Sequence, residues 1–400
     1  MRRPWFALVE SNTTGTGRDF AEAARRQGMR PVLLTRAPER YPYVAELGLD
    51  VRPVDTTDEE AVLAACRDLG SDGLAGISSS SEVFVRVAAA VGRSLGLPAP
   101  DPGAIALCRD KAETRRHLAR HGVAVPEFFA CTTPAMVEKA VAELAEPAVV
   151  KPSQGTGSQG VRVCDDPAAA GWWARRLLHG DGVPAATTVL VEREIRGPEY
   201  SVEVIDGTVV GITAKHVGSR PYFVETGHDF PARTSGPRGA ALRSTTLAAL
   251  RAVGLTTGPA HVELRLDGEE PCLIEINPRL AGGLIPRLVG RALGRDLVSE
   301  VVAQAAGRPS PTPDARPERC SSIRFLLPGE GTVASVSGLD LARSGRHVDE
   351  VVCTVSPGMR LEVEHSFKDR RGHVISVADR PEDAVAAAEH ARGCIEIAMS

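Results

Sequence analysis

The chain has 400 residues, of which 43% are hydrophobic and 24% charged, and its formal net charge at pH 7 is −4. This composition is that of an ordinary globular protein, and a prior of about 150 residues per domain predicts two to four domains. The slightly negative charge argues against nucleic acid or an anionic membrane surface as a partner.

Neither a membrane segment nor a disulfide framework is indicated. No apolar stretch approaches the roughly 18 residues of a transmembrane helix, and the apolar run at the N-terminus is too short for a signal peptide. The eight cysteines are scattered, without a Cys-x-x-Cys pair or zinc spacing, and most lie in apolar segments. Such cysteines are typical of reduced, buried thiols, so the sequence predicts a cytoplasmic protein.

Residues 1–104 alternate between strand-like and helix-like patterns. The predicted strands are 5–10, 31–35 and 73–77, and the predicted helices are 18–28, 58–69 and 82–95. This alternation predicts parallel βαβ units and a doubly wound α/β domain. Glu82, at the start of the third helix, is either a favourable first-turn acid or a group that holds a substrate ammonium.

A glycine pair in this domain, Gly15 and Gly17, lies between a strand and a helix, where a dinucleotide-binding fold has its phosphate loop. Phe20 occupies the place of the third glycine, so the sequence argues against NAD binding. A loop that binds a small anion at the helix N-terminus remains the alternative.

The rest of the chain is predicted as a mixed region, a linker and a small final domain. Asp101-Pro102 begins a helical region that runs to His121, since an N-cap aspartate and a first-turn proline favour a helix start. The further strands are 147–151, 161–163, 187–192, 199–215 and 261–277, and the further helices are 167–178 and 238–254. Residues 306–319, rich in proline and arginine, predict a linker. Residues 320–400, with short strands and a helix at 381–391, predict an α+β domain.

A second glycine-rich segment, Gly155, Gly157 and Gly160, follows Lys151. A strand follows it instead of a helix, so it does not fit a dinucleotide-binding loop. Its position predicts a mobile flap over a polyphosphate, because glycines let the backbone N–H groups approach phosphate oxygens. The alternative is an ordinary flexible turn. Lys151 lies in an apolar strand, where its ammonium must reach either water or an anion.

Residues 261–277 read as a β-hairpin with acids on one face, since Asp267-Gly268 is a strong turn signal. If the hairpin closes about Glu269, Glu263 lies directly opposite Glu275, and Asn277 shares a face with Glu275. Opposed carboxylates repel, and a divalent cation removes that penalty. Two carboxylates and one amide suit Mg²⁺. The alternative is a solvated acidic face.

The other face of this hairpin is predicted to join the core, and the residue after it to bind phosphate. The predicted core face comprises Val262, Leu264, Leu266, Ile274 and Ile276. Arg279 stands two residues beyond Asn277, where its guanidinium could grip a phosphate oxygen with two hydrogen bonds.

Four motifs in order resemble the ATP-grasp superfamily. They are Asp110-Lys111 before Gly-Val-Ala-Val-Pro, Val-Val-Lys151 with its glycine-rich loop, Val-Glu192-Arg-Glu-Ile-Arg-Gly-Pro-Glu199, and Glu263 with Ile-Glu275-Ile-Asn277-Pro-Arg279. The resemblance implies an ATP-grasp fold that combines α/β and α+β parts. Residues 1–104 resemble the preceding N-terminal domain, 105–305 the ATP-grasp domain with a lid at about 123–195, and 320–400 the C-terminal part of biotin carboxylase-like members.

This resemblance implies ATP and Mg²⁺ or Mn²⁺ as cofactors, with two ions, and the activation of a carboxylate as an acyl phosphate. The implied metal ligands are Glu263, Glu275 and Asn277, and the implied catalytic residues include Lys151 and Arg279. The implied nucleotide-binding residues are Lys111, Lys151, Ser153, Gly155, Gly157, Ser158, Gly160, Glu192, Glu194, Ile195 and Glu199. Phosphoryl transfer needs positioning and charge neutralisation more than covalent help, which suits such a set.

The segment 213–232, with Glu225-Thr-Gly-His228, is similar to a stretch of the L-amino-acid ligases, which join free amino acids into dipeptides. This likeness implies that His228 acts at the acyl-phosphate site, as a hydrogen-bond donor or a proton acceptor; the alternative is a structural loop histidine. Gly282 and Gly283 would allow close approach of substrate to the backbone, and Glu82 would bind substrate.

The expected partners are a small-molecule carboxylate and an amine, with neither nucleic acid nor membrane. A homodimer is the commonest assembly among oligomers, and the sequence leaves the oligomeric state open. Two alternatives remain: a biotin carboxylase-like enzyme that activates bicarbonate or another carboxylate, and a non-catalytic nucleotide-binding scaffold.

Overall fold

The computed structural model describes residues 3–13, 16–69, 73–234, 236–308 and 319–400. Gly15 of the first glycine pair and residues 309–318 of the predicted linker lie outside the described residues. Among the helices that are described, none combines the length and the apolar character that crossing a membrane requires.

The N-terminal part is a four-stranded parallel sheet with helices on both faces, as the alternating pattern predicts. Its strands are β1 (Trp5–Val9), β2 (Arg30–Thr35), β3 (Asp50–Pro53) and β4 (Leu74–Ser78), in the order β3-β2-β1-β4. Its helices are α1 (Thr16–Arg26), α2 (Pro42–Leu47), α3 (Glu59–Arg67) and α4 (Val85–Ser94), with a 3₁₀ turn at Pro38–Arg40. The sequence pattern missed α2 and the edge strand β3, whose residues are largely exposed and show no apolar alternation.

The predicted helical region 102–121 is two helices, α5 (Pro102–Arg109) and α6 (Lys111–Arg120). Asp110 breaks it, because its backbone is extended and its carboxylate accepts hydrogen bonds from the N–H groups of Ala112 and Glu113. A side chain that caps a new helix start in this way stabilises the break. The first residue of α6, Lys111, is therefore turned into the protein and is 9% exposed.

The region at 123–195 forms a small sandwich of one sheet and two helices. It comprises β5 (Phe128–Cys131), α7 (Pro134–Leu144), β6 (Ala148–Pro152), β7 (Arg162–Cys164), α8 (Pro167–His179) and β8 (Val189–Arg193), with strand order β5-β8-β6-β7. Its apolar core, which includes Val137, Val150 and Trp173, is separate from the cores of the rest of the chain. Such a unit fits the predicted lid.

The centre of the molecule is an antiparallel sheet of eight strands, in the order β13-β12-β9-β10-β11-β14-β18-β16. The elements from residue 199 to 305 are β9 (Glu199–Ile205), β10 (Thr208–Val217), β11 (Glu225–Phe230), α9 (Pro237–Val253), β12 (Pro259–Asp267), β13 (Glu270–Asn277), α10 (Ile285–Leu293) and α11 (Leu297–Ala305). Those that follow are β14 (Cys320–Phe325), β15 (Gly331–Ser337), α12 (Leu339–Arg343), β16 (Val348–Cys353), β17 (Arg360–Leu361), a 3₁₀ turn at Phe367–Asp369, β18 (Gly372–Ala378), α13 (Pro381–Cys394) and β19 (Glu396–Met399).

This sheet runs across the predicted border between the middle and final domains. β11 pairs with β14, so that His228 faces Ile323 and Gly227 faces Arg324. The last part of the chain thus builds one half of the central sheet, and only β17, β15 and β19 form a sheet of their own. The border drawn at 306–319 therefore does not separate two independent sheets.

Candidate active site

The acidic hairpin has the register that its sequence predicts. Glu263 pairs with Glu275, and His261 pairs with Asn277. The turn is shorter than a closure about Glu269, because Asp267 faces Glu270, and a β-bulge between Glu263 and Leu264 shifts the pairing by one residue.

The bulge also changes one member of the predicted core face. Val262, Leu264, Leu266 and Ile276 are buried as expected. Leu273 is buried in place of Ile274, which is only half-buried. A one-residue shift in one strand exchanges the faces of the residues beyond it, so the prediction for Ile274 is wrong.

Each of the opposed acids has its own cation. Lys111 Nζ lies 2.8 Å from Glu275 Oε1 and donates to the carbonyl oxygen of Gly155 at 2.9 Å. Burial lowers the pKa of Lys111, but the attraction of Glu275 outweighs it, so the pKa is raised and the ammonium stays charged. Lys111 therefore ties the glycine-rich loop to the predicted metal site.

Three glutamates share a second lysine, Lys215 of β10. Its Nζ lies 2.8 Å from an oxygen of Glu199, 2.8 Å from one of Glu225 and 2.6 Å from one of Glu263. Carboxylate oxygens of these three acids lie within 4.8 Å of one another. Although burial opposes both shifts, mutual attraction raises the pKa of Lys215 well above its usual value and lowers that of Glu225 well below it. Lys215 and Glu225 are therefore both charged.

Lys215 and Glu225 were not among the predicted site residues. Both stand in the segment that resembles the L-amino-acid ligases, and strand pairing places Lys215 opposite Glu199 on one side and His228 on the other. The available sequence signal was a lysine at an inward-facing position of a strand. Its three carboxylate partners lie on three other strands.

On the lid side, Lys151 and Glu192 form a buried ion pair. Lys151 Nζ lies 2.6 Å from Glu192 Oε2, and Arg115 Nε donates to Glu192 Oε1 at 2.8 Å. Burial lowers the pKa of Lys151, and despite burial the two cations lower that of Glu192. Both carboxylate oxygens of Glu192, one of the predicted nucleotide-binding residues, are thus engaged by protein cations.

The segment between the lid and the central sheet is held by arginines. Arg265 donates to the carbonyl oxygen of Ile195 at 2.9 Å and pairs with Glu199 at 2.8 Å. Glu194 is 7% exposed and accepts from Arg196 and Arg220. This cross-linking holds the backbone at Ile195, which the resemblance implies in nucleotide binding.

The glycine-rich loop has the backbone conformations that glycine permits. Gly157 and Gly160 have φ of +64° and +73°, and Ser158 between them has +61°. A β-carbon at Gly157 would lie 2.3 Å from a ring carbon of Phe367, so a side chain there would displace that ring. Ser153, just before the loop, donates to Asp110 at 2.6 Å and thereby binds the loop base to the start of α6.

Arg279 joins the end of the hairpin to the N-terminal part. Its Nη2 donates to Glu82 Oε2 at 2.7 Å and lies 3.3 Å from Asn277 Oδ1. Glu82 lies in the turn before α4 instead of inside the helix, so its carboxylate can reach across to the hairpin. The structure thus brings together three residues predicted for metal, phosphate and substrate binding.

His228 is fully buried beside Gly283. Its Nε2 lies 3.4 Å from Glu225 Oε2 without hydrogen-bond geometry, and neither ring nitrogen has a partner among the described residues. Burial lowers the pKa of His228, so the ring is neutral. A β-carbon at Gly283, whose φ is +59°, would lie 2.8 Å from Nε2, whereas one at Gly282 would meet no described atom within 4 Å.

The donor set fits a magnesium nucleotide. The hairpin end supplies the carboxylate and amide oxygens that Mg²⁺ takes as ligands together with substrate phosphates. Lys111 joins Glu275 to the glycine-rich loop with its left-handed backbone, and Lys151 stands on the strand before that loop. Such a loop exposes N–H groups to anions.

Two regions of the chain match models of known protein families. The family model for the ATP-grasp domain matches residues 144–287, and that for the L-amino acid ligase C-terminal domain 2 matches residues 324–400. An uncharacterized protein, y4rH of Sinorhizobium fredii, is 34% identical over 374 residues, which are 93% of this chain and 78% of that protein. Carnosine synthase 1 of Gallus gallus is 30% identical over 67% of this chain, which spans only 32% of that protein.

Solved structures show the same fold. The L-amino acid ligase of Bacillus licheniformis superposes with a TM-score of 0.83 at 24% identity over 100% of both chains. The biotin carboxylase domain of Hydrogenobacter thermophilus 2-oxoglutarate carboxylase, solved with MgADP and bicarbonate, has a TM-score of 0.72 at 18% identity over 100% of this chain and 91% of that domain. The chain belongs to the ATP-grasp superfamily of ligases and carries the C-terminal domain of the L-amino acid ligases.

Proposed function

We propose that this protein uses ATP to activate the carboxylate of an amino acid as an acyl phosphate, and couples it to an amine with release of ADP and phosphate. The observation that carries the proposal is a single lysine that contacts residues of both predicted sites. Lys215 contacts both Glu263 of the predicted metal site and Glu225, which adjoins His228. A phosphate held at the first site is therefore next to a substrate held at the second.

On the nucleotide side, the roles follow from charge and position. Lys111, Lys151 and the loop from Gly155 to Gly160 bind the phosphates, and Glu199 with the backbone at Ile195 holds the nucleoside. Glu263, Glu275 and Asn277 hold two Mg²⁺ or Mn²⁺ ions. The metal, when bound, neutralises the charge of the transferred phosphate.

On the substrate side, Arg279 and His228 supply the groups that acyl transfer needs. Arg279 is released from Glu82 to stabilise the oxyanion that develops at the carbonyl carbon, while Glu82 is freed for a substrate ammonium. The neutral His228 accepts a proton from the attacking amine or donates a hydrogen bond to the tetrahedral intermediate. The loop over the phosphates excludes water, which otherwise hydrolyses the acyl phosphate.

The test is an ADP-release screen of amino acids, singly and in pairs, with mass detection of products. We expect ADP and an amide product, dependent on Mg²⁺ or Mn²⁺. Release of AMP and pyrophosphate would instead indicate adenylation. Turnover with bicarbonate alone would favour the biotin carboxylase-like alternative, and bound nucleotide without turnover would favour a scaffold.

Substitutions in the hairpin and at His228 test the nucleotide side and the substrate side of the site separately. Glu275→Ala should abolish ATP turnover, while Glu270→Ala, exposed at the far end of the same strand, should not. His228→Ala should slow amide formation far more than it weakens ATP binding. Robust ADP release by Glu275→Ala, or unchanged amide formation by His228→Ala, would remove that residue from its role.

A further inference from the structure

A turn of the C-terminal part, residues 364–370, enters the candidate active site. The carboxylate of Asp369 accepts from the N–H groups of Glu364 at 2.8 Å and Ser366 at 3.1 Å, which fixes the turn internally. The ring of His365 stacks on Tyr222 with centroids 3.6 Å apart. These contacts hold the end of the turn, Arg370, at a defined place.

Arg370 lies beside Gly283 and His228. Its guanidinium pairs with Glu225 Oε2 and lies over the ring of Phe325, 4.4 Å from the centroid. Its Nε is buried without a hydrogen-bond partner in the described part of the chain. The cation thus has donor capacity that the protein does not use, which is unusual for a buried arginine.

Three groups of different chemistry converge on Gly283. A β-carbon at Gly283 would lie 3.2 Å from Arg370 Nη1, 3.4 Å from Glu225 Oε2 and 2.8 Å from His228 Nε2. A cation, an anion and an unpartnered neutral imidazole therefore lie against Gly283, which has no side chain to separate them. This set is complementary to a zwitterion that carries an ammonium and a carboxylate.

Resting on the proposed function, with an amino acid as the amine-supplying substrate, we propose that Arg370 binds the free carboxylate of that amino acid. That carboxylate survives in the product, so it needs a permanent partner. The substrate opens the Arg370–Glu225 pair and forms two ion pairs in its place, with its ammonium beside Glu225 and His228. Net charge at the site is unchanged.

A purely structural role for Arg370, as the counter-ion of Glu225, is the competing explanation. Glu225 keeps Lys215 at 2.8 Å on its other oxygen when Arg370 is removed, although Glu199 and Glu263 share that lysine. A structural role also gives no reason for the unused donor at Nε. The two explanations differ in what loss of the guanidinium does to substrate preference.

The experiment compares the amine-supplying amino acid found in the screen with its decarboxylated amine, in the wild type, Arg370→Met, Arg370→Lys and the control Arg371→Met. The side chain of Arg371 makes no hydrogen bond or ion pair among the described residues. KM for each acceptor and kcat are measured by ADP release and product mass. The wild type and the control should prefer the amino acid.

In Arg370→Met, KM for the amino acid should rise roughly 10- to 100-fold, which corresponds to one lost charge-assisted interaction, while KM for the amine should stay the same. Arg370→Lys should be intermediate, because a point charge cannot form the bidentate pair. An equal rise for both acceptors, or a wild-type preference in Arg370→Met, would overturn the proposal. If Arg370→Met is unstable, Arg370→Lys carries the comparison.

A binding measurement separates this proposal from the proposed function. If no pair of amino acids releases ADP, the proposed function fails, and thermal unfolding is then followed with each standard amino acid and each decarboxylated amine. A carboxylate site at Arg370 is supported if an amino acid stabilises the wild type but its decarboxylated amine does not, and if that amino acid does not stabilise Arg370→Met. Equal stabilisation of both proteins, or none, overturns it.

Discussion

Lys215 is a lysine buried among three carboxylates, so its removal has a distinctive expected effect. Lys215→Met leaves Glu199, Glu225 and Glu263 without their shared cation, and loss of one partner of a buried pair typically destabilises by about 3–5 kcal/mol. The three acids have oxygens within 4.8 Å of one another, so Mg²⁺ should raise the melting temperature of the variant more than that of the wild type. Thermal unfolding with EDTA and with Mg²⁺ measures both. Equal shifts in the two proteins would contradict this expectation.

The buried carboxylate of Glu10, at the end of β1, leads us to expect a pH dependence of stability. It is 4% exposed and accepts bonds from Tyr41, Thr35, Thr56 and the N–H of Arg36. Burial raises its pKa, but these bonds outweigh burial and lower the pKa from its usual 4.5. Glu10→Gln should therefore cost about 1–3 kcal/mol at neutral pH.

The sign of that dependence follows from the lowered pKa. A carboxyl group that is more acidic in the folded state stabilises the fold above its unfolded pKa, and this contribution is lost as the pH falls through the folded value. The difference between the wild type and Glu10→Gln should shrink below about pH 4.5, where the unfolded chain begins to bind the proton. Urea unfolding at stepwise lower pH measures it, with Glu39→Gln, an exposed acid, as control. A constant difference would exclude this linkage.

The glycine-rich loop and the C-terminal turn meet at Gly157 and Phe367. We expect a substitution at this contact to uncouple ATP consumption from amide formation. Gly157→Ala puts a methyl group 2.3 Å from the ring of Phe367 on a backbone with φ of +64°, a strain of about 1 kcal/mol or more from the conformation alone. The displaced loop should admit water, so the ratio of ADP to amide product should rise. Phe367→Ala added to Gly157→Ala removes the clash and should restore part of the coupling. A normal ratio in Gly157→Ala would show that the contact does not govern closure.

The sequence predicted most helices and strands, because helix capping, hydrophobic alternation and turn-forming residues act over a few neighbouring positions. It joined α5 and α6 into one helix because the break depends on a contact from outside the helix: Asp110 accepts from Ser153 of the lid as well as from its own helix start. Likewise, the paired hairpin acids and the turn near Asp267-Gly268 were predicted correctly, although the exact closure of the turn and the bulge were not.

The continuous eight-stranded sheet predicts that the C-terminal part is needed for folding. A chain that ends at residue 308 lacks β14, β18 and β16, which leaves β11 as an open edge and uncovers buried Phe230. We expect this shortened chain to show no cooperative thermal transition by circular dichroism and to aggregate in size-exclusion chromatography. Co-expression with residues 319–400 should restore both. A stable monomer of the shortened chain would show that the sheet tolerates the cut.

Local sequence was sufficient for the alternating N-terminal domain, for the paired acids of the hairpin and for the glycine-rich loop, because each depends on neighbours within one or two elements. Local sequence did not predict which distant residues contact these elements. Arg115 reaches Glu192 across 77 positions and Arg370 reaches Glu225 across 145, and such pairs exist only because whole elements pack in one arrangement. Charge in the buried site is therefore balanced by distant residues, whose identity no local pattern contains.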